Sequence, residues 1–176
     1  IYRTNLKVRK NIKYGHNIHR PMGAVPDKVC MIGAYKPIKG GVSTHISELS
    51  HSLANYHGVE VSVITMCDRT NCNAKTHWFD GKIEIYQERY PLNGIETPIQ
   101  NGIMVTLRAL KLPPPDIYHS HSVFNCFTKV FRRNVPLVLT NHSIYTREAI
   151  VHGTLKRDMG QVKIYRKIES NSVHKA

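Results

Sequence analysis

The fold is decided by the stretch KVCMIGAYKPIKGGVSTHISELSHSLANYHGVEVSVIT, residues 28–65. It opens with a short apolar run that ends at Gly33, which is typical of a buried strand. A loop with a proline and two adjacent glycines follows, and apolar residues then recur at helical spacing as far as Tyr56. Gly58 ends this helix, and residues 59–65 alternate as a second strand. The stretch predicts a βαβ unit with parallel strands and a right-handed crossover.

Strand and helix patterns keep alternating after this unit. A loop at residues 66–81 comes first. Strands at residues 82–86, 116–119 and 136–140 then alternate with helices at residues 98–111, 123–132 and 153–167. The first of these helices carries four apolar residues on one face, Ile99, Ile103, Leu107 and Leu110. We therefore expect an α/β fold, with a single Rossmann-like, doubly wound and mostly parallel sheet that has helices on both faces.

The 176 residues suffice for one domain, which we place at residues 28–150. Residues 1–27 are basic and lack periodicity, so they are predicted to form a poorly ordered extension. Residues 151–176 are predicted to form a helical or irregular basic tail. The sequence has neither an apolar run of about 20 residues nor an apolar segment near its start that would mark a secretory signal. We expect a cytoplasmic protein, either free or peripheral to a membrane.

The charge is strongly basic, with 25 Lys and Arg against 12 Asp and Glu and a net charge of +13. This excess favours anionic partners, whether nucleic acid, a phosphate-bearing small molecule or an anionic membrane surface. The four cysteines form no CxxC pair. Cys30 is expected in the core, whereas Cys67 and Cys72 could approach each other in a loop. Because disulfides are not expected at this size without a secretion signal, we predict a reducing environment.

Polar residues gather where three of the predicted strands end. The first strand leads to Gly40 and Gly41, the fourth ends in HSHS (residues 119–122), and the fifth ends in TNHS (residues 140–143). Ligands of such sheets bind beyond the carboxyl ends of the strands. The glycine pair either lets the backbone approach an anion at the start of the helix or forms a tight turn. It matches neither the dinucleotide fingerprint nor the P-loop.

Two interpretations of the histidines stay open. His119 and His121 share one face if both lie in a strand, so with His142 they could ligate a metal and serve a metal-dependent hydrolase. In the other interpretation, His119 packs in the core and His121 hydrogen-bonds a polar substrate in the cleft. Asp116 is the one carboxylate close in sequence, whereas metal sites usually hold several. We therefore favour a site without metal.

Three motifs, in this order, resemble the family-4 glycosyltransferases of the GT-B fold. The first, residues 31–65, resembles the family's opening strand, proline loop, GGV, histidine-bearing helix and G-h-E-V-x-V-h-T strand. It matches at Pro37, Gly40, Gly41, Val42, His45, Leu49, Leu53, Gly58, Glu60, Val61, Val63 and Thr65. The second, DIYHSHS (residues 116–122), resembles the D-h-h-H-x-H strand end, and the third, VPLVLTNHSIY (residues 135–145), resembles P-h-V-x-T-x-H-S. HSHS and NHSIY further resemble the phosphatidylinositol N-acetylglucosaminyltransferase branch.

The resemblance implies one half of a GT-B fold and a retaining transfer of a sugar from a nucleotide-sugar to a sugar or lipid-linked acceptor. It implies no metal and no cofactor, with the nucleotide-sugar as co-substrate. The N-terminal domain of such enzymes mainly shapes the acceptor side. On the same grounds His121 is the expected catalytic residue, beside the transferred sugar. The substrate-binding residues implied by the resemblance are Gly40, Gly41, His45, Ser122, His142 and Ser143.

The chain departs from the family in one respect. A GT-B enzyme has a second Rossmann-like domain, which holds the nucleotide through a lysine and an E-x7-E pair, and no such sequence follows here. We therefore expect this chain to be inactive alone, as a truncated product, a fragment or one part of a split enzyme with a separate C-terminal domain. The alternative of a basic nucleic-acid-binding module lacks any helix-turn-helix, zinc-finger or RNP motif, so nucleic acid is not the expected partner.

Overall fold

The computed structural model describes residues 25–67, 72, 75–89, 98–155 and 160–175. Its elements are β1 (Lys28–Ile32), α1 (Gly41–Tyr56), β2 (Glu60–Cys67), β3 (His77–Asp80), β4 (Ile83–Arg89), α2 (Pro98–Lys111), β5 (Ile117–Ser120), a 3-10 helix (Val123–Phe127), α3 (Thr128–Phe131), β6 (Leu137–Leu139), α4 (Tyr145–Val151) and α5 (Gly160–Lys175). Of the predicted extension at residues 1–27, residues 1–24 lie outside the described residues.

The strands form one six-stranded sheet in the order β3-β4-β2-β1-β5-β6. All neighbouring strands are parallel except β3, which pairs antiparallel with β4. At the centre of the sheet, Val29 of β1 pairs with Val61 of β2 on one side and with Ile117 of β5 on the other. The prediction of a Rossmann-like, mostly parallel sheet is therefore confirmed.

Alternate residues of β1 are buried on opposite faces of the sheet. Met31 packs in the core beneath α1, together with Ile46 of that helix. Ile32 packs in the core beneath α2, together with Val105 of that helix. Both faces of β1 are therefore covered by helices, which explains why its sequence is apolar without alternation.

Helix α2 buries only part of the apolar face that the sequence predicts, since Ile99 packs against a core cluster and other members do not. Its fully buried positions are Gly102, Val105, Thr106 and Ala109, whereas Ile103 and Leu107 are 48% and 49% exposed. Small residues occupy the inner face of α2 because α2 lies very close to the 3-10 helix. A side chain added at Gly102 would overlap the carbonyl oxygen of Phe124. Close packing therefore turns larger apolar side chains of α2 toward the surface.

Two further regions differ from the sequence predictions. The predicted loop at residues 66–81 contains the end of β2 and all of β3. Strand β3 has only four residues and is half-exposed at the edge of the sheet, so its sequence is too short to show a strand pattern. The predicted helix at residues 153–167 is replaced by α4 and α5, with Gly153 at a left-handed φ of 72° after α4. Helix α5 packs Val162 and Tyr165 against Phe124, so the packed structure continues beyond residue 150.

One cysteine pair departs from the expected reduced state. Cys67 at the end of β2 is joined to Cys72 by a disulfide, with a Cα–Cα distance of 5.0 Å. The two cysteines are five residues apart in the sequence, and their approach is one that the sequence allowed. Cys30 is a free, buried core residue as predicted, and Cys126 is also free. Among the described helices, none combines the length and the apolar character needed to cross a bilayer.

Candidate functional site

The carboxyl ends of β1, β5 and β6 meet at one edge of the sheet. The backbone N–H of His121, just after β5, donates to the carbonyl of Ile32 at 2.9 Å. The backbone N–H of Thr140, just after β6, donates to the carbonyl of Ser120 at 2.9 Å. The segments that leave these strands therefore start side by side, as expected for parallel neighbours.

Four imidazole rings converge at this edge, and we call His45, His119, His121 and His142 the histidine cluster. His119 stacks on His121 with a centroid distance of 4.3 Å, and His121 stacks on His142 at 5.3 Å. His45, in the first turns of α1, meets His121 and His142 edge-on at 5.4 and 5.3 Å. Three separate segments thus bring together the predicted site residues His45, His121 and His142.

His121 is the most enclosed member of the cluster, with 5% of its surface exposed. Its Nδ1 lies 3.0 Å from Nε2 of His142, whereas its buried Nε2 has no hydrogen-bond partner among the described residues. Burial, with the nearby His119, His142 and His45, lowers the pKa of His121 to about 3. The ring is therefore neutral at pH 7, with one nitrogen still able to bind a ligand.

His119 does not pack in the core. It is half-buried beside His121, and its Nε2 lies 2.8 Å from Oγ1 of Thr140. Burial, followed by the charges of His45 and His142, lowers its pKa. His142 is exposed, and its pKa is lowered by partial burial and by His45. His119 thus lies beside the site, between His121 and Thr140, rather than in the interior. The sequence did not indicate this position.

The glycines of the β1–α1 segment have separate roles. Gly40 adopts a φ of 148°, which L side chains rarely adopt, and Gly41 begins α1. A Cβ at either position would meet nothing within 4 Å, so the loop is open to a ligand. The sequence motifs do not point to Gly33 as part of the site. A Cβ there would lie 2.5 Å from Cδ1 of Ile46 and 3.1 Å from Cβ of His121, so a larger residue would push against both side chains.

The two predicted serines are placed differently. Ser122 caps the 3-10 helix, since its Oγ accepts a hydrogen bond from the backbone N–H of Phe124 at 3.3 Å. Its hydroxyl therefore already has a structural partner. Ser143 is exposed and lines a groove of about 290 Å³ along α4. The other residues of this groove are Ile144, Arg147, Glu148, Val151 and His152.

The metal interpretation needs a correction to its ligand set. The three histidines whose ring nitrogens lie within 4.8 Å of one another are His45, His121 and His142. The sequence suggested His119, with His121 and His142, as the metal ligands. The Nε2 of His119 instead lies 2.8 Å from Oγ1 of Thr140, and His45 of α1 completes the group of three. Three imidazole side chains are a ligand set that zinc accepts.

The fold and this edge define one half of a GT-B architecture. The chain belongs to Glycosyltransferase Family 4, whose family model matches residues 39–175. The chain is similar in structure to the sucrose-phosphate synthase of Thermosynechococcus elongatus, with a TM-score of 0.58 and 14% identity over 82% of this chain. It covers 40% of the length of that protein. This similarity concerns the fold.

A second solved structure is the AMP-bound C-terminal domain of Kef from Shewanella denitrificans. The match covers 84% of this chain and 92% of the Kef chain, at 10% identity. Its TM-score of 0.31 is too low for any conclusion. No curated protein matches the chain.

Proposed function

We propose that this chain is the acceptor-side, N-terminal domain of a retaining glycosyltransferase. The enzyme would transfer a sugar from a nucleotide-sugar to a sugar or lipid-linked acceptor, without metal or cofactor. The observation that carries the proposal is the buried, unpartnered Nε2 of His121 at the carboxyl edge of the sheet, in a domain of family 4. The phosphatidylinositol N-acetylglucosaminyltransferase branch and the cytoplasmic location stay predictions.

His121 suits a contact with the transferred sugar. A buried polar nitrogen without a partner is costly, so a ligand hydroxyl that fills this place gains the hydrogen bond that the free protein lacks. Because the ring is neutral, its proton can lie on either nitrogen and Nε2 can accept or donate. The contact between Nδ1 and Nε2 of His142, at 3.0 Å, holds the ring in place. We assign His121 the catalytic role and His45 and His142 the substrate-binding roles.

The start of α1 suits the phosphates of the donor. No side chain of the described residues caps this helix, so the first backbone N–H groups after Gly40 are open to an anion. The dipole of a 16-residue helix adds a partial positive charge at the same point. A leaving diphosphate gains negative charge during transfer, and both features favour that state. The glycine loop thus complements the diphosphate, while His121 complements the sugar.

Nucleotide binding would come mainly from a second domain. The chain covers 40% of the similar synthase structure, and the family resemblance implies a further Rossmann-like domain. We propose that this domain is supplied by another part of the same protein or by a separate chain. Residues 1–176 alone are then expected to bind the donor weakly and to turn it over poorly.

The decisive experiment uses a two-domain enzyme that contains this sequence. His121→Ala should lower kcat about a hundredfold or more, with a smaller effect on the KM for the donor, because its contact lies at the reacting sugar. His57→Ala, an exposed histidine after the C-terminal end of α1, is the matched control and should leave both constants unchanged. Full activity of His121→Ala, or efficient transfer by residues 1–176 alone, would contradict the proposal.

A metal-dependent hydrolase is the second candidate, favoured by the convergence of His45, His121 and His142. In that case the purified protein holds stoichiometric zinc, and His45→Ala loses both the zinc and the hydrolysis. The transferase proposal instead expects activity that resists chelators. Elemental analysis of the wild-type protein and of His45→Ala distinguishes the two candidates.

A further inference from the structure

The segment between β1 and α1 sends two side chains to a carboxylate on another strand. We call this segment, residues 33–40, the β1–α1 loop. Oδ2 of Asp80, the last residue of β3, accepts a hydrogen bond from the hydroxyl of Tyr35 at 2.7 Å and lies 3.6 Å from Nζ of Lys36. We propose that Asp80 is a positioning residue, which holds the β1–α1 loop in the conformation that presents the start of α1 to the donor diphosphate. This inference rests on the transferase function proposed above.

Tyr35 fixes the loop through both its backbone and its side chain. Its backbone N–H donates to Oγ1 of the buried Thr65 of β2 at 3.1 Å, which holds the main chain just after β1. Its ring is fully buried in the core beneath α1, and its hydroxyl contacts Asp80. The backbone N–H of Ile38 donates to the carbonyl of Tyr35 at 3.0 Å. The turn that leads to Gly40 therefore starts from a residue that is already held.

Asp80 also connects the loop to α1. Nε2 of His51 on α1 lies 3.3 Å from the same Oδ2 of Asp80, and a Cβ added at Gly81 would lie 3.8 Å from Cε1 of His51. Burial, followed by the hydrogen bond to Asp80, raises the pKa of Tyr35, so its hydroxyl keeps the proton that it donates. The Lys36 side chain is 61% exposed, so its ion pair contributes less than the hydrogen bond from the buried tyrosine.

A loop that is held in advance binds an anion at a lower entropic cost. A Cβ added at Gly40 or Gly41 would meet nothing within 4 Å, so little packing surrounds the glycines that precede the first N–H groups of α1. The contacts of Tyr35 and Asp80 then set how freely this loop moves. A loop that must become ordered on binding costs affinity, whereas a preorganised loop does not. Without Asp80, donor binding should weaken while the chemical step in the bound complex is retained.

Trypsin cleavage of the purified full chain tests the hold on the loop without any substrate. Within the β1–α1 loop, trypsin can cut after Lys39 but not after Lys36, which precedes a proline. Asp80→Ala should speed cleavage after Lys39 about tenfold, because a hydrogen bond to a charged group is lost. Tyr35→Phe should act in the same direction with its ring still in place. Mass spectrometry of the same digest shows whether cleavage elsewhere in the chain stays slow.

Kinetics of the two-domain enzyme separate positioning from a purely structural role. Asp80→Ala should raise the KM for the donor about tenfold and change kcat less than about threefold, the opposite of the pattern for His121→Ala. Asp80→Asn keeps an oxygen that can accept from Tyr35 and should restore most of the donor affinity. Glu60→Ala, which removes an exposed carboxylate paired with Lys28, is the matched control and should behave like wild type in both assays.

The outcomes distinguish this inference from the proposed function. If neither Asp80→Ala nor Tyr35→Phe speeds cleavage after Lys39, the positioning role is overturned and the transferase proposal stands. If cleavage rises throughout the chain, or the donor KM stays unchanged, Asp80 supports the fold and does not position the loop for the donor. If the wild-type two-domain enzyme transfers no sugar, both proposals fail. Should circular dichroism show that Asp80→Ala is unfolded, Tyr35→Phe decides in both assays.

Discussion

Helices α1 and α2 cover opposite faces of the same sheet but present different surfaces. Helix α1 buries Ile46 completely and carries His45 at the carboxyl edge of the strands. Helix α2 buries small residues and leaves Ile103 and Leu107 half-exposed. The difference teaches that helices on opposite faces of one sheet bury different kinds of side chain: α1 packs a large apolar residue inward, whereas α2 packs small residues inward and leaves large apolar residues at the surface.

The largest effect is expected on the α1 side of the comparison. Ile46→Ala removes a fully buried side chain from the core beneath α1 and should lower the free energy of unfolding by about 2–5 kcal/mol. Leu107→Ala on α2 changes a similar side chain that is 49% exposed and should cost much less. Urea denaturation of both variants measures the difference. Equal losses would show that α2 packs inward in solution.

A second prediction concerns the close approach that holds His121. Gly33→Ala places a methyl group against Ile46 and His121, so the free energy of unfolding should fall by about 1–3 kcal/mol. Gly41→Ala, at a position with open space, is the matched control and should have little effect on stability. Thermal unfolding of both variants tests this. A Gly33→Ala protein as stable as the Gly41→Ala protein would contradict the described packing.

The histidine cluster should make stability sensitive to acid. The pKa of His121 is about 3 in the folded protein, against an ordinary value of 6.5 in the unfolded chain. The unfolded chain therefore binds more protons below pH 6.5, and stability falls as the pH decreases from 6.5 toward 3. The lowered pKa values of His119 and His142 act in the same direction. Chemical denaturation at several pH values should show this loss.

The control for this pH dependence is a histidine outside the cluster. His121→Asn should flatten the decrease of stability between pH 6.5 and 3, because one of the groups that must gain a proton is gone. His57→Asn, at an exposed position after α1, should keep the wild-type slope. If both variants keep that slope, His121 is not the buried neutral group described above.

The smallest effect is expected on the α2 side. Leu107→Gln and Phe131→Gln alter side chains that are 49% and 65% exposed, so each should change the free energy of unfolding by no more than about 0.5 kcal/mol. Urea denaturation of both variants, with wild type as the reference, measures these changes. A large loss of stability would mean that these side chains belong to the core.

The sequence by itself determined the βαβ unit, the fold class and the edge where the candidate site lies. These features depend on local periodicity, on Gly33, Gly40 and Gly58, and on the rule that parallel strands end at one edge. The family-4 motifs lie in the same segments. The sequence could not identify β3, whose half-exposed edge position makes its pattern resemble that of a loop.

Only the tertiary structure decided which side chains meet and which faces are buried. It placed a ring nitrogen of His45, rather than of His119, within 4.8 Å of ring nitrogens of His121 and His142. These ring contacts join segments that are distant in sequence, so no local pattern could predict them. The tertiary structure also left Ile103 and Leu107 of α2 half-exposed, because the close contact between Gly102 and the 3-10 helix favours small residues on the inner face. Periodicity shows that a helix has an apolar face, but steric fit between elements decides whether that face is buried.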